Sequence, residues 1–284
     1  MVGGVGSLPV DQRDGRKSRS VGAIDRINRW ARFVAAPVFG IALCEAIIEI
    51  QHNPPVDFTL YRAQAAAWLH GASFYPASQV AHQFEVRAGD ILYPPLMIPI
   101  FVLATVLPEV VWVGVPLAIT AIALVALRPA PWSWPLIAMC LAFPTTPLLI
   151  SVGNPIVWAV GALALGTAWR PAAAFVALWT PSLAPFALIG IRDRGWWATG
   201  ILGGLAMLMV LPLTSDWVAS VVHASGPRSG ILYSWPDVPL MVAPIIALSA
   251  RSTRRVRVSW RPAVRWRWRR GSRSEGVERS ANDR

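Results

Sequence analysis

Apolar residues in this chain come in blocks, not in strict alternation with polar ones. Runs almost free of charge occupy about residues 33–50, 94–108, 110–127, 135–150, 155–169, 172–190, 196–213 and 236–250. A helix rises 1.5 Å per residue and the hydrocarbon core of a bilayer is about 30 Å thick, so about 20 apolar residues cross it. In that core an open strand leaves backbone groups unpaired, so each run is predicted to be helical. The expected fold is an all-α integral membrane protein, a polytopic helical bundle with about seven to nine hydrophobic segments. The shorter runs are marginal as spans, and Pro99, Pro108 and Pro116 predict broken helices between residues 94 and 127.

Polar residues divide the chain in three: a basic arm over residues 1–32, a membrane region over 33–250, and an Arg/Trp-rich tail over 251–284. The arm is expected to be disordered to about Ile24, with a short interfacial helix over 23–30. No small-residue cleavage site follows the first apolar run, which reads as a retained anchor. The membrane region is interrupted by one long polar stretch, residues 51–92, holding Asp57, Arg62, His70, His82, Glu85, Arg87 and Asp90. Composition agrees: 14% of residues are charged, against about 25% in soluble domains.

The net charge of +11 has two readings, nucleic acid or a membrane face. The second explains it better, because Lys and Arg gather on the cytoplasmic side of membrane proteins. Arg13, Arg16, Lys17 and Arg19 of the arm, Arg192 and Arg194, and Arg251, Arg254, Arg255 and Arg257 of the tail all read as inside. Both termini are then cytoplasmic in a multi-pass plasma-membrane protein, and residues 51–92 form an outer loop. Arg128 conflicts with this if 94–108 and 110–127 both cross, so one of them is expected to be short or re-entrant. In the tail, Trp260, Trp266 and Trp268 alternate with Arg261, Arg265, Arg267, Arg269 and Arg270. That interleaving suits an anionic lipid surface, and no nucleic-acid partner is expected. Cys44 and Cys140 lie in apolar runs and read as small hydrophobes. No metal-ligand spacing is present.

Within the outer loop, Phe58, Tyr61, Ala65, Trp68 and Leu69 recur at helical spacing. They predict an amphipathic helix lying on the membrane surface, closed by Gly71 at C′. Asp57 stands where an N-cap carboxylate would stand, and Tyr61 lies one turn along the same face. Glu45 lies inside the first span, where a carboxylate is costly and marks a candidate functional residue.

An Asp after the first span, a Tyr on a small-residue helix, His70-Gly71 with Tyr75, and Tyr93-Pro94-Pro95-Leu96 opening the next segment form an ordered set. This set resembles glycosyltransferase family 87 of the GT-C superfamily, the polyprenol-phosphate-mannose-dependent mannosyltransferases. Ser151-Val152-Gly153-Asn154 is similar to that family's Gly-Gln-x-Asn turn, and Trp179-Thr180-Pro181 to its Lys-Pro segment. Asn154 replaces the family's Gln and Thr180 its Lys, and the chain looks short, as a truncated relative would. The resemblance implies a GT-C-like bundle that transfers a sugar from a polyprenyl-phosphate donor to a glycolipid or glycan acceptor on the outer face. It implies no separate cofactor and leaves a divalent metal open.

In that chemistry an acceptor hydroxyl must lose a proton as it attacks the anomeric carbon, and a nearby carboxylate can take it. Asp57 is the candidate base. Arg62 or Arg87 can neutralise the departing phosphate, and His52, His70 and His82 are secondary contacts. Plainer roles stand beside these. Asp57 also fits a helix cap, Tyr61, Tyr75 and Tyr93 fit an interfacial aromatic belt, and Asn154 fits a turn residue. Two other function classes remain open: a non-catalytic relative acting as a scaffold, and a small-solute transporter. The transporter is disfavoured because no internal repeat of spans is visible.

Overall fold

The structure is a computed structural model. It describes residues 12–52, 54–87, 90–226 and 237–251, with side chains from residue 26 onward except 28 and 32. The tail beyond Arg251 and residues 1–11 of the arm lie outside the described residues. The chain opens with α1 (Gln12–His52), a single helix of 41 residues. The disorder expected up to about Ile24 is not found over residues 12–24, which belong to this helix. No proline interrupts residues 12–36, and a nucleated helix extends at little cost. Within α1, Arg29–His52 is apolar enough to cross a membrane.

Next come α2 (Val56–Leu69), α3 (Ala77–Ala81), the two-residue strand β1 (Phe84–Glu85) and α4 (Ile98–Val106). Then α5 (Glu109–Leu127) is the second helix of spanning length, with 19 residues. α6 (Trp134–Leu141) and α7 (Thr145–Ser151) follow, bent by 62° where Pro144 interrupts them. α8 (Ile156–Gly166), α9 (Ala174–Trp179) and α10 (Ala184–Ala187) are short, and Pro181 separates the last two. α11 (Arg194–Met209) and α12 (Leu211–His223) meet at 95°, with Pro212 in the first turn of α12. β2 (Ala224–Ser225) pairs in parallel with β1, and α13 (Val238–Ser249) ends the described fold.

Every apolar run of the sequence is therefore helical. By length and composition, two helices can cross a membrane, or up to four if each bent pair is one span. The remaining apolar helices are shorter than a span.

The helices connect two ends. At one end, α2 packs on α4, and Phe58, Tyr61, Phe74, Tyr75, Tyr93, Phe101 and Trp112 form an aromatic cluster. At the other, Leu124 and Leu127 of α5 meet Ile137 of α6 and Ala247 of α13, with Phe39 of α1 tilted against Trp134 at 6.0 Å. There the α5 terminus and the α13 terminus are bridged, the Ala130 N–H donating to Ala250 O at 2.9 Å beside the Pro129–Arg251 pair.

α4 begins and ends within the aromatic cluster. Ile98, Phe101 and Ala104 all belong to it, and so does Trp112 in the first turns of α5. Its nine residues span about 14 Å, less than half a bilayer core. α8 runs beside α5, Trp158 contacting Trp112 at 5.4 Å and Gly161 facing Pro116. After the turn at Arg170 the chain returns through α9, and Trp179 reaches back to the aromatic cluster. It then comes back to Arg170, where Gly190 fits against the Arg170 carbonyl and Trp196.

Candidate active site

α2 starts where Pro54 and Pro55 end the preceding backbone. Asp57 is the second residue of α2 and not its cap. Pro55 occupies the N-cap position, with no side-chain cap bond. The cap comes from elsewhere: the Val152 carbonyl accepts from the N–H groups of Asp57 at 3.1 Å and Phe58 at 3.2 Å. Those are orphan donors of a first helical turn, so the Asp57 carboxylate is released from capping.

The α7–α8 turn that supplies this carbonyl also supplies Asn154. Its Nδ2 donates to Asp57 Oδ2 at 2.6 Å. Its Oδ1 accepts from the Ile156 N–H at 2.9 Å and from the Tyr93 hydroxyl at 3.2 Å. The Tyr75 hydroxyl in turn donates to Tyr93 O at 2.8 Å. Tyr61 stacks on Phe101 at 4.5 Å and meets Tyr93 edge-on at 5.6 Å. Trp112 closes the floor, its Nε1 donating to Gly153 O at 2.9 Å.

Asp57 is half-buried in this setting. Burial pushes its carboxyl above the ordinary value, and the Asn154 hydrogen bond pulls against that rise. Arg62 lies over the Phe58 ring at 5.9 Å, the nearest cation on the same helix.

Asp57, Tyr61, Tyr75, Tyr93 and Asn154 are thus brought to one place, while Arg62 is exposed over the Phe58 ring. Tyr61, Tyr75 and Tyr93 are buried, with Tyr75 wholly enclosed, so they build the wall more than they line an open surface. His70 and Arg87 stand apart. His70 caps the far end of α2, its Nδ1 bonded to Ala66 O at 2.7 Å. Arg87 is exposed in a loop that its own N–H ties to Asp90 Oδ2 at 2.6 Å. His52 and His82 are exposed. Glu45 lies in α1, its Oε2 buried with no partner among the described residues.

Sequence reading missed two contributors, the Val152 carbonyl and Trp112, and named Gly153 only as part of a turn motif. Gly153 has φ +71°, and a Cβ there would lie 2.7 Å from Phe58 Cβ. The signal available was the Gly-Asn pair at a turn, but not its partner. Gln64 clamps the far side of the loop by donating to Ser73 O and Phe74 O at 3.0 and 2.7 Å. Trp217 of α12 adds a bond to Leu92 O at 2.9 Å.

A separate apolar groove of about 190 Å³ lies between α5, α8 and α9, lined by Pro116, Trp158, Ala162, Leu165, Phe175 and Trp179 among others. Asp57 is not among its lining residues. Its wall reaches the site through Trp158, Trp112 and Phe58, whose rings are in successive contact at 5.4 and 5.8 Å. Among the described residues, no three His, Cys, Asp or Glu side chains gather as a metal site. Compared with known protein families, curated proteins and solved structures, the chain matches none.

Proposed function

We propose that this chain is a GT-C-like membrane glycosyltransferase. It takes a sugar, mannose by the family resemblance, from polyprenyl phosphate and passes it to a lipid-linked or cell-envelope acceptor. The observation that carries this reading is the Asp57–Asn154–Tyr93 hydrogen-bond chain. It joins three pieces of the motif set that are far apart in sequence around one carboxylate of raised proton affinity.

In the reaction, the acceptor hydroxyl oxygen forms a bond to the anomeric carbon as the bond to the phosphate oxygen breaks. Polyprenyl phosphate leaves with that electron pair. The hydroxyl proton passes to Asp57, which later releases it to water. Arg62, five residues along the same helix, is the proposed partner of the phosphate charge. The groove along α8 suits the donor's hydrocarbon, since its lining is almost wholly apolar.

The reading also needs Asp57 at the outer face, and charge supports that orientation. Of the two helices long and apolar enough to cross, α5 starts with Trp112 in the aromatic cluster and ends with Leu127 in the cluster at the other end. Arg128 and the nearby Arg251 then lie away from Asp57, as a cytoplasmic face requires.

One observation favours the scaffold reading instead. Thr180 stands where the resemblance expects a Lys, and it is fully buried with Oγ1 unpartnered among the described residues. No cation is offered to a phosphate at that position.

The test is transfer of radiolabelled mannose from polyprenyl-phosphate mannose in membranes expressing the chain. Asp57→Asn keeps shape and hydrogen bonding but cannot take a proton, so transfer is expected to fall by about 100-fold or more. Full activity in Asp57→Asn removes the base role. No transfer by the unaltered chain favours the scaffold.

A further inference from the structure

The amide of Asn154 has only one usable orientation. Its Oδ1 faces a backbone N–H, that of Ile156, at 2.9 Å. That group can only donate, so the atom facing it must be the amide oxygen. The Tyr93 hydroxyl donates to the same oxygen from 3.2 Å. The other end of the amide, Nδ2, is therefore fixed toward Asp57 and donates to Oδ2 at 2.6 Å. Oδ2 is occupied by a donor and cannot also receive a proton from that side. Oδ1 of Asp57 has no hydrogen bond among the described residues.

We propose that Asn154 is a positioning residue, locked by Ile156 and Tyr93, that holds Asp57 Oδ2 and so leaves Oδ1 as the atom that accepts the proton. This rests on the glycosyltransferase reading for the reaction, but the geometry stands without it. The acceptor O–H bond breaks, a new O–H bond forms at Oδ1, and the Asn154 bond to Oδ2 persists throughout. Because Asn154 only donates, it favours the ionised carboxylate over the neutral one and opposes the effect of burial.

Other titratable side chains on the surrounding elements are Tyr61 and Arg62 on α2, Glu49 and His52 at the end of α1, Tyr93 before α4, and Glu109 at the start of α5. None of them hydrogen-bonds to Asp57 among the described residues. The α7–α8 turn contributes no titratable group of its own.

The experiment reads Asp57 directly, independently of transfer. The purified full-length protein is treated with a water-soluble carbodiimide and an amine probe across a pH series, and labelling of the Asp57 peptide is quantified by mass spectrometry. Only the protonated carboxyl is activated, so labelling falls as pH rises through its titration. In Asn154→Ala the midpoint is expected to move to higher pH. In Asn154→Asp, which keeps an acceptor for Ile156 and Tyr93 but replaces the donor with a like charge, it moves further the same way. Tyr93→Phe gives a smaller upward move. The acid limb of the pH–rate profile for transfer shifts in parallel, and kcat at neutral pH falls about tenfold, roughly the effect of one good hydrogen bond. Midpoints equal to the unaltered chain in Asn154→Asp and Tyr93→Phe, with folding confirmed by thermal unfolding, overturn the proposal, whatever Asn154→Ala does. A shifted midpoint in a chain that transfers no sugar supports the positioning role and removes the glycosyltransferase reading.

Discussion

Gly153 is the residue on which the meeting of Asp57 and Asn154 depends. Its backbone stands at φ +71°, and Phe58 Cβ occupies the space a side chain would need, 2.7 Å from an added Cβ. Gly153→Ala therefore meets two penalties, left-handed backbone strain and a clash with the first turn of α2. Together they are expected to cost about 2 kcal/mol of stability. Gly71→Ala is the matched comparison, because Gly71 has φ +93° but open space around it, so only the strain acts, at about 1 kcal/mol. Thermal unfolding of the purified variants checks this, and equal losses at both positions would show that Phe58 yields freely. The glycine that closes α2 was legible, since a Gly after a helical run announces its own turn. Asp57, Tyr61 and Tyr93 were legible as residue types in order. The bond from Asn154 to Asp57 was not, because the two lie 97 positions apart and no local pattern encodes such a pairing. The same holds for the Val152 carbonyl, whose role uses no side chain at all.

Among helices, Pro99, Pro108 and Pro116 were read as breaks, and of these only Pro108 falls at one, between α4 and α5. Pro144, Pro181 and Pro212 interrupt apolar runs that the sequence presents as continuous. Pro116, in contrast, remains inside α5, packed against Gly161 of α8. Thr120, one turn on, returns a hydroxyl to Pro116 O at 2.9 Å. A proline accommodated against a neighbouring helix leaves no mark in one segment's periodicity. The close approach of α5 and α8 at that point forms one side of the apolar groove. If the groove holds the hydrocarbon of a polyprenyl donor, filling it acts on long donors alone. Ala162 lines it and is nearly buried. Ala162→Phe displaces about two methylenes of contact, at about 0.8 kcal/mol each. KM for a long-chain polyprenyl-phosphate mannose is expected to rise about tenfold, while a short, water-soluble analogue keeps its KM. A loss of both donors together would point to damage at the site instead of the groove.

The molecule's orientation rests on a conflict visible in the sequence. If α4 and α5 both crossed, Arg128 would lie outside, against the basic residues that mark the inner face. The proposed topology keeps α4 on one side, since its buried side chains all join the aromatic cluster next to Asp57. Glu109 then starts α5 at the Asp57 end, and Arg128 ends it beside Arg251. That the apolar runs are helical was legible, because each is a block of composition. Which of them crosses was not, since a short helix that returns to its own side differs from a span only in what it packs against. The two topologies make opposite predictions for two residues of one helix. In a background with Cys44→Ser and Cys140→Ser, Glu109→Cys is expected to react with a membrane-impermeant maleimide on intact cells, as is His70→Cys in the outer loop. Arg128→Cys and Arg192→Cys are expected to react only after the membrane is permeabilised. A crossing α4 reverses Glu109 and Arg128 while leaving His70 and Arg192 unchanged. That reversal would place the start of α5 in the cytoplasm, away from the Gly153 carbonyl that Trp112 holds, and would separate α5 from the outer face where Asp57 is proposed to act.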